Sequence, residues 1–298
     1  MTNKSGAPVV VAVDGSTSAF NAVRVAAREA VARGRPLRVV HAFAWPLSDA
    51  SLIAVTGSAL DAGLREQAEQ IVAEAVNEAD KTASDLTVTG SVVDGAAVPV
   101  LLAESRAAAL LVVGSRGLGG ITELLIGSVA VPVCARADCP VLVVKGEARA
   151  DGPVLVGIDG SALSAQALGF AFEEASLRGT DLVVVHAWIT PTPNAPGDRL
   201  PLAYSVDALA ADEERLLAEA VAGWSQRYPD VSVRHRVAYG APAPVLVRES
   251  AGAQLTVVGA HGRGALAGLL LGSVSHAVLH HSQGPLAIVR HHREGHRR

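Results

Sequence analysis

Aromatic side chains make up only 3% of this 298-residue chain, so any core must be filled by aliphatic residues. Half of the residues are hydrophobic, enough for two substantial cores of Val, Leu, Ile and Ala. Cysteine is scarce too. Cys134 and Cys139 are the two in the chain, and both lie in its first half, whereas a framework disulfide would have been duplicated with its domain. They read as reduced thiols of a cytoplasmic protein, with redox sensing as the alternative. There is no excess of positive charge: the net charge is −4, with acids and bases interspersed, which argues against a nucleic-acid binder. No apolar run approaches the ~20 residues that span a bilayer. The polar lead from Met1 to Pro8 gives no reason to expect a signal peptide.

Several enzyme signatures are missing as well. No Gly-x4-Gly-Lys-Ser/Thr loop marks a motor-type or GTPase-type NTPase, and no Gly-x-Gly-x-x-Gly follows the first strand. No Gly-x-Ser-x-Gly elbow marks a hydrolase. No group of His, Cys, Asp and Glu has metal-ligand spacing, and His280 and His281, being adjacent, would point apart on a helix.

What the chain does contain is a repeat. Gly114-Ser-Arg-Gly117, nine residues, then Gly127-Ser128 returns 145 positions later as Gly259-Ala-His-Gly262, nine residues, then Gly272-Ser273. Asp14-Gly15-Ser16 returns as Asp159-Gly160-Ser161, His41 as His186, Gly95 as Gly240 and Glu104-Ser105 as Glu249-Ser250, all at the same offset. A period this long makes each copy a complete domain rather than a solenoid unit. The expected division is a first domain over 1–146, a second over 152–290 and a disordered His- and Arg-rich tail over 291–298, with the linker at Gly146 to Gly152.

Each copy alternates β-branched runs with helical patterns, the mark of βαβ units on a parallel sheet. In the first copy strands are expected over Val9–Val13, Leu37–His41, Leu86–Val93, Leu110–Val113 and Val141–Val144. Helices are expected over Ala19–Ala32, Asp61–Lys81, Ala97–Arg106 and Ser128–Arg136. In the second copy Leu209, Leu216, Leu217, Ala220 and Val221 continue the apolar stripe of the long second helix. The fold class is α/β: two tandem, doubly wound, parallel five-stranded sheets of order 3-2-1-4-5. Such a sheet opens a ligand crevice where its winding reverses, at the carboxyl ends of strands one and four. Asp14 and Gly114 stand there in one copy, Asp159 and Gly259 in the other.

The glycines admit two readings, a tight turn or a backbone that closely approaches a phosphate, and repetition of the full spacing favours the phosphate. Ser128 is a strong N-cap type for the following helix. Arg116, His261 and Arg263 can add charge-assisted contacts. Asp14 and Asp159 either hold Mg²⁺ through water or make an Asx turn at the next helix. No Lys or His recurs in both loops as a general acid or base, so the sites read as binding sites first.

With an acid after strand one, a long amphipathic second helix and Gly-x2-Gly-x9-Gly-Ser after strand four, the chain resembles the universal stress protein family, in its tandem actinobacterial form. The likeness covers roughly residues 7–146 and 152–290. In that family the glycine motif separates ATP-binding members from those that bind no nucleotide, and the wider group is the adenine nucleotide α-hydrolase-like fold. The resemblance implies ATP at two sites, and Mg²⁺ stays one of the two readings of Asp14 and Asp159. It sets adenine near Val40 and Val185, beside Ala12, Asp14 and Gly15 in one copy and Gly157, Asp159 and Gly160 in the other. Phosphates are implied along Gly114, Ser115, Arg116, Gly117, Leu118, Gly119 and Gly120 with Gly127, Ser128 and Val129. The second set is Gly259, Ala260, His261, Gly262, Arg263, Gly264 and Ala265 with Gly272, Ser273 and Val274. The family often has a Ser five residues after the Asp; the second copy has Ser164, the first Ala19. The likeness also implies an intramolecular pseudo-dimer and a homodimer; charge balance and the lack of a long apolar run leave neither nucleic acid nor membrane as an expected partner. A regulatory, nucleotide-sensing stress protein is thus the first expectation. A slow ATPase or adenylyl-transfer enzyme and a nucleotide-free dimerising scaffold are the alternatives.

Overall fold

The computed structural model describes residues 6–45, 50–117, 126–146, 151–189, 206–263 and 271–290, the side chains of 50–62 and 206–210 excepted. The chain divides into two compact units, Met1–Lys145 with Arg290–Arg298, and Gly146–Val289.

The first unit runs β1 (Val9–Ala12), α1 (Thr17–Ala32), β2 (Leu37–Phe43), α2 (Ala50–Thr82), β3 (Val88–Asp94), α3 (Ala97–Ser105), β4 (Leu110–Gly114), α4 (Ala130–Arg136) and β5 (Val141–Val144). β1 pairs in parallel with β2 on one side and β4 on the other, so Val9 faces Leu37 and Leu110. β3 joins β2 and β5 joins β4, again in parallel. The resulting order, β3-β2-β1-β4-β5, matches the expected 3-2-1-4-5. The second unit repeats it with β6 (Val154–Ile158), α5 (Ala162–Arg178), β7 (Leu182–Trp188), α6 (Val206–Arg227), β8 (Val233–Tyr239), α7 (Pro242–Ser250), β9 (Leu255–Gly259), α8 (Ser273–His281) and β10 (Leu286–Val289). Its pairings are β7–β8, β6–β7, β6–β9 and β9–β10, all parallel.

Burial follows from this order. Strands covered on both faces read as unbroken apolar runs, and β5 and β10 are buried at every position. β3 and β8 flank β2 and β7 and are half-buried or exposed at nearly every position, without the alternation expected of the third strand. α1 lies close to its sheet because its buried stripe is made of small residues: Ala19, Ala22, Ala26, Ala27 and Ala30 beside Val23. Each unit also buries one carboxylate on its first helix. Glu29 pairs with Arg33 at 2.5 Å and Glu174 with Arg178 at 3.0 Å, one helical turn apart in both cases.

Three local expectations need correction. The second helix begins at Ala50 rather than Asp61; the run of apolar residues 52–55 has no three-to-four spacing, so periodicity overlooked it. The second strand continues to Phe43, whose partner on β3 is Asp94, because Phe43 is itself a core residue. On α6 the stripe is narrower than expected. Leu217 and Val221, one turn apart, are buried, whereas Leu216 is 46% exposed and Ala220 faces solvent, since adjacent helical residues diverge by about 100°. Leu209 and the tail 291–298 lie outside the residues whose side chains are described. Among the described residues no helix is long and apolar enough to cross a membrane.

Candidate functional site

Each unit brings its Asp-Gly-Ser turn against its glycine loop. After β1, Asp14 Oδ1 accepts the Ser16 N–H at 3.0 Å, and after β6, Asp159 Oδ1 accepts that of Ser161 at 3.0 Å. These are Asx turns, as the simpler reading of Asp-Gly-Ser has it. Between them Gly15 and Gly160 stand at φ +85° and +75°, where a side chain is strained. Ser16 and Ser161 then cap α1 and α5, their hydroxyls accepting from Ala19 N at 3.1 Å and Ser164 N at 3.2 Å.

The loop after β4 returns to this turn. A Cβ on Gly117 would collide with Asp14 Oδ2, and one on Gly262 with Asp159 Oδ2. In the second unit the Arg263 N–H also donates to Asp159 Oδ2, at 2.8 Å. The far end of each loop is tied back by one hydrogen bond, Gly127 N–H to Ser115 C=O and Gly272 N–H to Ala260 C=O, both 2.8 Å. The near end is anchored to the last strand through Ser115 N–H to Val144 C=O (2.9 Å) and Ala260 N–H to Val289 C=O (2.8 Å). A Cβ at Gly272 would stand 3.2 Å from the His261 Cα, and one at Gly127 3.5 Å from that of Arg116. Asp14, Gly117 and Gly127, far apart in sequence, thus share one surface, as do Asp159, Gly262 and Gly272.

Asp159 is the acid whose electrostatics stand out. Partial burial would raise its carboxyl, but donation from the Ser161 side chain and N–H, the Arg263 N–H and the Ser164 hydroxyl outweighs it and holds it below its ordinary value. Ser164 is buried and also donates to the Ser161 carbonyl at 2.9 Å; it supports the turn from within.

Other expected residues fare unevenly. Val40 and Val185 are fully buried and interior to their strands, because β2 and β7 run past them. The Val40 carbonyl already accepts the Val13 N–H at 2.9 Å. What faces the strand-one terminus is the next residue: His41 Nδ1 lies 2.9 Å from the Val13 carbonyl and His186 Nδ1 2.9 Å from that of Ile158. His186 Nε2 is also 3.0 Å from Glu213 on α6, where the first unit has buried Ala68. Ser128 does not cap α4: the cap position is Val129, with no side-chain bond, and Ser128 is exposed in the turn before it. Ser273 is the first helical residue of α8, behind Gly272 at the cap and ahead of Val274. Ala12 pairs with Val40, and Gly157 with Val185, at the inner wall of each crevice. Leu118, Gly119, Gly120, Gly264 and Ala265 lie outside the described residues.

Two features escaped the reading of the sequence. Lys145 and Arg290 each directly follow the strand that anchors the loop, a cation repeated at the same offset; burial lowers Lys145 to about 8. On α8, His276 and His280 stand one turn apart with ring centroids 4.5 Å from each other, a spacing hidden by attention to the adjacent His280 and His281. Among the described residues no group of three His, Cys, Asp or Glu side chains could hold a metal ion. Cys134 and Cys139 are both buried, and burial pushes the Cys134 thiol up to about 12.

The comparisons with known proteins agree with this architecture. The model of the universal stress protein family matches residues 7–145 and again 152–290. A universal stress protein of Mycobacterium tuberculosis is 40% identical over 296 residues, covering 95% of this chain and 96% of its own. One of Mycolicibacterium smegmatis is 38% identical over 294 residues, with 95% and 96% covered. The crystal structure of a universal stress protein from Archaeoglobus fulgidus superposes with a TM-score of 0.70 at 20% identity, over 96% of this chain and 98% of that one. With its family signature matched twice and relatives spanning nearly its whole length, the chain belongs to the universal stress protein family.

Proposed function

We propose that each unit binds one adenine nucleotide, ATP in its working state, and that occupancy of the two sites is the signal this protein presents in a stress response. The observation that carries this reading is the contact of Gly117 with Asp14, repeated by Gly262 and Asp159, where any side chain would fill the space. A turn alone does not need that clearance in two copies. A backbone that must let phosphate oxygens approach its N–H groups does.

The residues present fit the group. Gly114 to Gly117 with Gly127, and Gly259 to Arg263 with Gly272, supply main-chain donors beside exposed cations. Arg116 and Arg263 are exposed, and His261 is half-exposed. Both oxygens of Asp159 already accept N–H groups, so a Mg²⁺ ion accompanying the phosphates is held there, and at Asp14, through water. Adenine lies against the β2 and β7 backbone beside His41 and His186. The homodimer in the cytoplasm belongs to the same proposal, and light scattering measures it.

Mass spectrometry of small molecules released on denaturing freshly purified protein tests the reading, together with thermal unfolding in millimolar ATP and Mg²⁺. Ligand at 100 times its dissociation constant raises stability by about 2.7 kcal/mol per site. An unmoved transition and no released nucleotide would leave the glycine loops as structural turns.

A further inference from the structure

The walls of the two sites differ, and the difference has a chemical direction. In the first unit a Cβ on Gly15 would meet Ile71 of α2, its Cδ1 at 3.1 Å and Cγ1 at 3.3 Å. The counterpart of Ile71 at the same offset is Leu216, and it does not take that place; it is 46% exposed. The space over Gly160 belongs instead to Arg263. A Cβ there would collide with the guanidinium, standing 3.1 Å from its Cζ and 3.4 Å from its Nε.

Arg263 therefore meets the Asp-Gly-Ser turn twice. Its N–H is on Asp159 Oδ2, and its guanidinium lies on the bare face of Gly160. Yet no acceptor engages that guanidinium among the described residues, and no ion pair joins it to Asp159. Both Asp159 oxygens are taken up by the N–H groups of Ser161 and Arg263, so neither is bonded to the guanidinium. A planar fork of donors at the mouth of an anion cradle, with no anionic partner among the described residues, suits a phosphate. The first unit has Leu118 at the corresponding position. Its own loop cation, Arg116, sits two residues earlier, where its N–H faces Ser18 at 3.4 Å and its carbonyl Ser16.

We propose that Arg263 is a specificity-determining residue that makes the second site selective for the number of phosphates on the nucleotide, whereas the first site, with Leu118 at that position, discriminates less. This rests on the nucleotide reading above. The second site follows the balance of ATP against AMP; the first stays filled by either.

Calorimetric titration of the full chain with ATP and with AMP, in EDTA to leave the phosphates bare, tests it. Gly117→Val isolates the second site and Gly262→Val the first. In the Gly117→Val background, ATP binds roughly tenfold or more tighter than AMP, the range of one charge-assisted bond. Adding Arg263→Leu reduces that ratio to within about threefold, mainly by weakening ATP, and Arg263→Lys restores part of it. The first site alone gives a ratio within about threefold. If both nucleotides bind and Arg263→Leu leaves the second-site ratio unmoved, the selectivity assignment is wrong while the binding reading stands. If wild-type protein binds neither nucleotide, both fall together.

Discussion

The two halves keep the same backbone skeleton around the crevice and change the side chains at its rim. Asp14 and Asp159 make the same Asx turn at 3.0 Å, and Gly127 and Gly272 close their loops at the same 2.8 Å. Ile71 covers the Gly15 turn, however, while Arg263 covers that of Gly160. Ser18 packs on Gly114 where Leu163 packs on Gly259. Ala68 lies where Glu213 meets His186. Main-chain features that admit no side chain have persisted over one offset, while the rim has exchanged polar for apolar side chains in both directions: Arg263 and Glu213 are gained in the second copy, and Ser18 gives way to Leu163. The comparison teaches that shared chemistry resides in the backbone and individual chemistry in the rim.

The sharpest way to break this comparison is to remove a shared feature from one half. Gly117→Val and Gly262→Val each drive a branched side chain into an aspartate carboxylate, so calorimetric stoichiometry falls from two nucleotides per chain to one in either variant. Retention of two in both would remove these loops from the sites. Far-UV circular dichroism stays native, because Gly117 and Gly262 are exposed.

Next in size is the buried carboxylate that both halves carry. Arg33→Met takes the guanidinium away from buried Glu29, and Arg178→Met from buried Glu174, each loss destabilising by about 3 kcal/mol in urea unfolding. Arg33 is 6% exposed and Arg178 23%, so Arg33→Met is the more damaging. The reverse order would mean that water reaching Arg178 screens nothing.

A smaller effect belongs to the second half. The Asp159 carboxyl is held below its ordinary value by donated hydrogen bonds, so its ionised form stabilises the fold at neutral pH. That contribution is complete above the unfolded value near 3.8 and disappears as pH falls through the lower folded value. Asp159→Asn, discounted for partial exposure, costs less than about 1 kcal/mol at pH 7, and its gap from wild type closes below about pH 4. A gap independent of pH would assign the loss to geometry rather than charge. The smallest effect concerns the cysteines of the first half. Cys134 has Leu279 as its counterpart, and burial suppresses its thiolate. A thiol-specific reagent labels it only after denaturation; rapid labelling of native protein would return redox sensing to consideration.

Much of this was legible in the sequence for physical reasons. Strands covered on both faces followed from unbroken apolar runs such as Val9–Val11, and the crevice from the winding reversal of a doubly wound sheet. The contact between Gly117 and Asp14 was not legible, because glycine spacing reports where a backbone must be bare and not what approaches it. Val40 was misjudged as a strand end because Phe43, two residues past His41, is a core residue that prolongs the pairing. Ser128 has the composition of a cap, but capping depends on the dihedral path into the helix, which spacing does not encode. That Arg263 lies over Gly160 where Ile71 lies over Gly15 was not legible either, because a ragged apolar stripe leaves helix phase open.

The pairing of β1 with β4 also bears on how the protein is made. Val9 faces Leu110, and Val154 faces Leu255, so each central ladder joins segments 101 residues apart (110 − 9 and 255 − 154). Contacts of such long range close slowly. On the ribosome neither crevice can form until the fourth strand of its own half has emerged, and the first half completes its cradle while the second is still being translated.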